Sequence, residues 1–403
     1  NGLMSILAVL EKSVTLKNVE GAPFLRNVAV GLLLNFLSID HLFAKRCAED
    51  GIQIIFEMSK LLLANAGVCE LLLKLLEKHS PYCTDEETRC VLKIACNLIV
   101  LVLTGDDSMN SLYDNSNGIV YKKLVEWLES EDRDLQITAV LAMGNFARTD
   151  AHCKLMVTQN VHCTLLKLLQ DNNTDTADIR FQHALLSALR NLVIPVDNKP
   201  VILKDGLLNI LYPMINISSY PVVFKLLGTL RIVIDGQSEA AIELGKKDGL
   251  VEKVVEWCEV EEHPGVQGEA NRLIAWLINN SRLFIQFSFI EYFIIICTTF
   301  RITLSVIEHG AIKHLVKMLT AQHVLMQNEA LISLMITTTI SLEECEKSLL
   351  EADVGEKLYQ LRKTSCERGF KSSREVEKNL RQDNLIRYLL GIQRKKKKNY
   401  NFL

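Results

Sequence analysis

The feature that most constrains this chain is an internal repeat. A glycine or polar residue followed by an apolar helix of the form x-x-L-x-x-L-L recurs at Gly118–Leu128, Asn160–Leu169, Gly206–Ile215, Gly249–Cys258 and Gly310–Leu319. The starts lie 42, 46, 43 and 61 residues apart. After each one a short polar loop leads to a second apolar segment, at 136–147, 181–193, 222–234, 266–278 and 326–338. Both kinds of segment carry helical rather than alternating periodicity. A shorter helix precedes most of the first kind, as at 151–159 and 239–247.

Three helices in about 42–47 residues is the armadillo spacing. One such unit cannot bury its apolar face alone, so neighbours must stack. The expected fold is therefore all-α, an armadillo-repeat right-handed superhelical solenoid over residues 1–365. In it the last and longest helix of each unit lines the concave groove. Aligned on that helix, one position carries Asn97, Asn145 and Asn191, then Ile232, Trp276 and Ile336. A groove asparagine has two uses: its amide can hold a neighbouring unit's backbone in register, or meet a ligand. Both readings stay open here. The glycines at 118, 206, 249 and 310 fit helix-to-helix corners where a positive φ is needed.

Two spacings break the repeat. The step from 249 to 310 is about 18 residues too long, and the excess maps to the apolar run 283–300. That length is near the lower limit of a membrane span. Gln286 and Glu291 lie inside it, and repeats flank it, so a buried extra helix or local irregularity is expected, without stable membrane insertion. At 51–79 two middle-type helices follow one another with no groove helix between them. Residues 366–403 form a polar tail with a basic run at Arg394 and Lys395–Lys398, read as a solvated extension, with a nuclear signal or an anionic-lipid contact as the functional alternatives. It carries no prenylation box.

Composition narrows the function. Apolar residues make up 49% and charged residues 23%, which excludes a disordered chain. Lys+Arg 45 against Asp+Glu 48 leaves a net charge of −3, so no nucleic-acid partner is expected. The 11 cysteines are odd in number and scattered, without a CxxC pair, which points to a reducing compartment and cytoplasmic location; nuclear or endoplasmic-reticulum association is the alternative. Because the first residue is Asn1 rather than Met, the chain reads as a fragment. Phosphate-loop, dinucleotide, zinc-protease and nucleophile-elbow motifs are missing, and the histidines are isolated. The chain is therefore expected to be no enzyme, to use no cofactor or metal, and to act as a monomer through its surfaces. Acidic residues concentrate before one groove segment at Glu129, Glu131, Asp132 and Asp134. They read as either a solubilising loop or an acidic rim that draws in a basic partner segment.

Particular stretches resemble the Smg GDS family of small-GTPase GDP-dissociation stimulators. They are CNLIVLVLTGDDSM at 96–109, GNFAR at 144–148, ALRNLVIPV at 188–196, KLLGTLR at 225–231, LVEKVVEWCE at 250–259 and GAIKHLV at 310–316. The likeness is dense from about 91 to 282, resumes from about 306 to 350, and includes loop residues. It implies an armadillo protein that binds Rho-, Ras- and Rap-type GTPases carrying a basic, prenylated C-terminus. It also implies stimulated GDP release, a chaperone role before membrane delivery, and a site for the prenyl group, expected near the 51–79 joint. The family's groove contact, two asparagines one turn apart, maps onto 145–149. Here Asn145 is kept and Thr149 holds the second place, which implies weakened binding. The resulting GTPase-binding set is Asn97, Asn145, Arg148, Thr149, Arg190 and Asn191. The family's acidic patch falls upstream, near 43–79, without a residue-by-residue match.

Two other readings stay open. An importin- or catenin-like adaptor would repeat a Trp four residues before an Asn along the groove; only Trp276 and Asn280 do so. An altered isoform with reduced GTPase binding would account for the irregular joint, the insertion and the tail.

Overall fold

Leucine-rich stripes at helical spacing, broken by single glycines and capped by polar residues, fold here into helices alone. The computed structural model describes residues 2–15, 28–32, 50–82, 85–281 and 300–367, and no strand occurs among them. The first helices are α1 (Gly2–Thr15), a short α2 at 28–32, α3 (Asp50–Asn65), α4 (Val68–His79) and α5 (Glu86–Leu103). Complete three-helix units follow. They are α6 (Asp106–Tyr113), α7 (Ile119–Glu126) and α8 (Arg133–Phe146); α9 (Asp150–Thr158), α10 (Val161–Gln170) and α11 (Ile179–Leu192); α12 (Asn198–Lys204), α13 (Leu207–Leu211) and α14 (Tyr220–Ile234); then α15 (Ser238–Gly245), α16 (Leu250–Cys258) and α17 (Pro264–Asn280). Helix α18 at 300–308, α19 (Ile312–Met318) and α20 (Val324–Ile340) form the next unit, and α21 (Leu342–Glu351) and α22 (Val354–Glu367) end the described chain. Among the described residues no single helix is long and apolar enough to cross a membrane.

The helices form two compact units. Residues up to Asn172, with Thr176–Asn198, make the first; Asn173–Asp175 and the chain from Lys199 onward make the second. In each, groove helices pack side by side: α5 on α8 and α8 on α11 in the first, α14 on α17 and α17 on α20 in the second. Helix α3 runs directly into α4 and packs against α6, the place of a first helix. The 283–300 insertion, apart from Phe300, and the tail from 368 lie outside the described residues. The two elements flanking the insertion, α17 and α18, keep their repeat roles, so the extra length falls between Ser281 and Phe300.

The helix-to-helix corners correct one expectation. Gly249 has φ 70°, the left-handed region where a side chain is strained, as predicted. Gly118 does not: its φ is −55°. There Asp114, Asn115 and Ser116 take the left-handed conformation instead. Glycine is required at 118 for space, because a Cβ would sit 1.9 Å from the Leu112 carbonyl oxygen.

Candidate partner-binding groove

The groove-helix starts place much of the polar chemistry. In the first unit each groove helix opens on an aspartate whose carboxylate accepts backbone N–H bonds. Asp85 takes Thr88 N at 2.7 Å, Asp132 takes Asp134 N at 2.9 Å and Leu135 N at 3.2 Å, and Asp178 takes Arg180 N at 2.8 Å and Phe181 N at 3.2 Å. Each satisfies donors that a helix start leaves orphaned. Asp132 also accepts a bond from the Ser80 hydroxyl. It is thus a structural cap before it is a rim charge. The rest of the acidic run divides. Asp134 faces a cavity of about 300 Å³ that also holds Arg89, Lys93 and Arg133. Glu129 lines a second cavity, of about 490 Å³, with Lys167 and Asp171. Glu131 is exposed.

The corner after α8 is held from below by aromatic packing. Phe146 is fully buried against Tyr113 and Tyr121, with ring centroids 5.6 and 5.3 Å away. The His152 ring sits 4.1 Å from that of Tyr113, and its Nδ1 lies 3.0 Å from the Phe146 carbonyl oxygen, as donor. On this base Asn145 donates to the Leu141 carbonyl at 3.0 Å and accepts from Arg148 Nη2 at 3.0 Å. Arg148 reaches back to the preceding unit, bonding Asp106 at 2.6 Å and the Leu103 carbonyl at 3.3 Å. Thr149 caps α9, its hydroxyl oxygen accepting from His152 N at 3.2 Å. Asn145 keeps one free amide hydrogen; Arg148 is largely committed.

Asn191 does what a register pin does: its amide donates to the Gly144 carbonyl of the neighbouring groove helix at 3.0 Å. The helices approach closely there, since a Cβ on Gly144 would lie 3.8 Å from Ala188 Cα. Asn97 is different. It is exposed, and its side chain makes no hydrogen bond among the described residues. Arg190 is the least satisfied of the set. Its Nε is buried without a partner, and the side chain makes no hydrogen bond or ion pair among the described residues.

The second unit's groove is closed on itself. Arg231 Nε bonds Glu269 at 2.8 Å and its Nη2 bonds the other oxygen at 3.3 Å. Arg272 grips Glu329 in the same two-pronged way, at 2.9 and 2.8 Å. Arg272 also lies 3.7 Å from Glu269, which links the two pairs across α14, α17 and α20. The guanidinium of Arg231 stands 5.0 Å from the Trp276 ring centroid. Asn280 spends its amide within the fold too, donating to Trp276 O and accepting from Gly236 N, both at 3.0 Å. The Trp–Asn spacing that an adaptor would present is therefore used up internally. The buried cysteines are inert thiols: burial pushes Cys96 and Cys258 up to about 12 and Cys153 up to about 11.

Three-helix units stacked through their third helices define an armadillo-repeat protein. Solved structures agree on the fold: an engineered protein superposes with a TM-score of 0.59 at 20% identity, covering 95% of this chain and 90% of its own. A chain from work on a phosphorylation switch in the cadherin–beta-catenin interaction gives 0.57 at 15% identity, covering 89% and 57%. No family model matches the chain. Among curated proteins, the GTPase-GDP dissociation stimulator vimar of Drosophila melanogaster is 41% identical over 374 residues, covering 83% of this chain and 58% of the relative. The Rap1 GTPase-GDP dissociation stimulator 1-B of Xenopus laevis is 38% identical over 329 residues, covering 79% and 51%. The chain belongs to this family, the Smg GDS proteins, and spans about half the length of the curated relatives it matches.

Proposed function

We propose that this chain binds small GTPases of the Rho, Ras and Rap type, stimulates GDP release from them and shields their prenylated, basic C-terminus before membrane delivery. Family membership carries the reading; the open polar groups of the first unit's groove support it. Asn97, Arg190 and the remaining hydrogen of Asn145 are uncommitted, and such groups give a partner bonds without first breaking internal ones. The chain acts as a regulator rather than a catalyst. A groove that holds the nucleotide-free GTPase more tightly than its GDP form shifts the equilibrium toward release by that difference in affinity. Glu129 and Glu131 attract the basic segment. Met58 and Leu62, one turn apart on α3 and each 57% exposed, offer an apolar start for a prenyl chain. The protein works as a cytoplasmic monomer.

The test is release of labelled GDP from prenylated and unprenylated Rho-type GTPases. Acceleration with retained binding supports the reading; no acceleration and no binding to either form overturns it. Thr149→Asn sharpens it. Asparagine caps helices as well as threonine does and adds an amide donor. The variant should bind about two- to tenfold more tightly, worth the ~0.5–1.5 kcal/mol of one added hydrogen bond, with an unchanged melting temperature.

A further inference from the structure

We infer that Arg190 is the groove's anion socket: it receives an aspartate or glutamate side chain from the bound GTPase in a two-pronged Nε–Nη bond. The inference rests on the GTPase-binding reading above and adds the chemistry of one contact. Three observations carry it. First, the guanidinium lacks any hydrogen bond or ion pair among the described residues, and its Nε is out of reach of water as well. A buried donor left unmade is costly, so such groups ordinarily have a use. Second, two arginines on groove helices of the second unit are paired in the same way. Arg231 and Arg272 each take a glutamate through Nε and Nη2. Arg190 stands one residue before the Asn191 register position, as Arg231 stands one residue before Ile232. Third, Arg190 is only half-buried, and its two Nη atoms keep contact with solvent. A partner carboxylate meets those atoms first, and the unanchored side chain then turns to present Nε.

A carboxylate fits better than a lone hydroxyl or carbonyl, because the planar fork matches two oxygens at once and charge-assisted bonds are the stronger ones. The socket sits beside Asn191, whose amide is already spent on Gly144. Arg190 therefore supplies charge where its neighbour supplies rigidity.

The experiment measures affinity of the full chain for a nucleotide-free Rho-type GTPase with its basic C-terminal segment intact. Wild type, Arg190→Met, Arg190→Lys and Arg190→Glu are compared at low and high salt, with melting curves alongside. Arg190→Met should lose about 30-fold or more in affinity, as truncation of one partner of a desolvated charge pair does. Arg190→Lys should recover part of the loss, and the melting temperature should hold or rise. Arg190→Glu should be rescued by one Asp→Lys or Glu→Lys change in the GTPase. Unchanged affinity of Arg190→Met, with wild type binding normally, overturns the socket and leaves the GTPase reading standing. A melting temperature that falls together with the affinity also overturns it, since the arginine would then be structural. Failure of wild type to bind overturns both.

Discussion

The two units use the same helices for opposite ends. In the second, the groove-facing arginines are closed by glutamates from the next helix, and the ladder Arg231–Glu269–Arg272–Glu329 spans three groove helices. In the first, helices α8 and α11 are held by an amide on a carbonyl and by close approach at Gly144 and Ala188, and Arg190 has no acid among the described residues. The difference teaches that groove polarity by itself does not mark a binding surface. A charged groove residue with an internal partner contributes to the fold; one without is available to a ligand. The helix starts differ in the same sense. Aspartate caps open the first unit's groove helices, whereas α14 and α17 begin with proline in the first turn. Proline fixes a helix start without adding charge.

Variants test this contrast. The largest effect is expected in the second unit's ladder. Glu269→Ala leaves the largely buried Arg231 without its counter-ion and should cost about 3–5 kcal/mol by chemical denaturation, more than Glu329→Ala, after which Arg272 still has Glu269 at 3.7 Å. A loss below 1 kcal/mol would mean that the pairs are surface decoration and that the contrast is one of geometry alone. Next, Asp132→Ala should cost about 1 kcal/mol as a lost helix cap, although Asp132 belongs to the acidic run. Glu129→Gln with Glu131→Gln should leave stability unchanged and slow association with a basic partner segment at low salt only. Asn191→Ala removes one hydrogen bond between groove helices and should cost about 1 kcal/mol.

The smallest effect is a pH dependence in the second unit. His314 is buried beside Lys313, Lys317 and Glu259; burial first, then the Lys313 charge, holds its pKa below the usual 6.5. The folded state therefore binds fewer protons than the unfolded chain. The stabilisation is present above pH ~6.5 and is lost as pH falls through the window between the unfolded and folded values. His314→Gln should flatten the fall in melting temperature between pH 7 and 5 by a small margin. An equal slope would show that other groups set it.

Much of the architecture was legible because the repeat is written in apolar spacing. The x-x-L-x-x-L-L segments became the middle helices and the second segments the groove helices, since each needs one continuous stripe to bury. The aspartates at 85, 132 and 178 carried a cap signal that went unread, their place just before a groove helix. In the run at 129–134 the surrounding acids hid that signal, and the same residue serves both descriptions. Asn191 behaves as the register reading expected, while Asn97, at the aligned position, is exposed. Sequence alone could not separate Arg190 from Arg231. Arg231 meets its carboxylate on a residue some 40 positions further along the chain, and spacing alone does not show which arginine is met in that way. Gly118 was assigned the wrong reason, because a glycine required for space looks the same in sequence as one required for φ.

Unpaired groove arginines serve binding and paired ones serve the fold, a division of labour open to experiment. Its most direct measurement compares Arg190→Met and Arg231→Met side by side, each by chemical denaturation and by affinity for a nucleotide-free Rho-type GTPase. A double dissociation is expected: Arg190→Met keeps its stability and loses binding, while Arg231→Met loses about 3 kcal/mol of stability because the largely buried Glu269 loses its two-pronged partner and keeps only Arg272 at 3.7 Å. If the two variants lose stability alike, or if Arg190→Met binds as well as wild type, the division between the two grooves is contradicted.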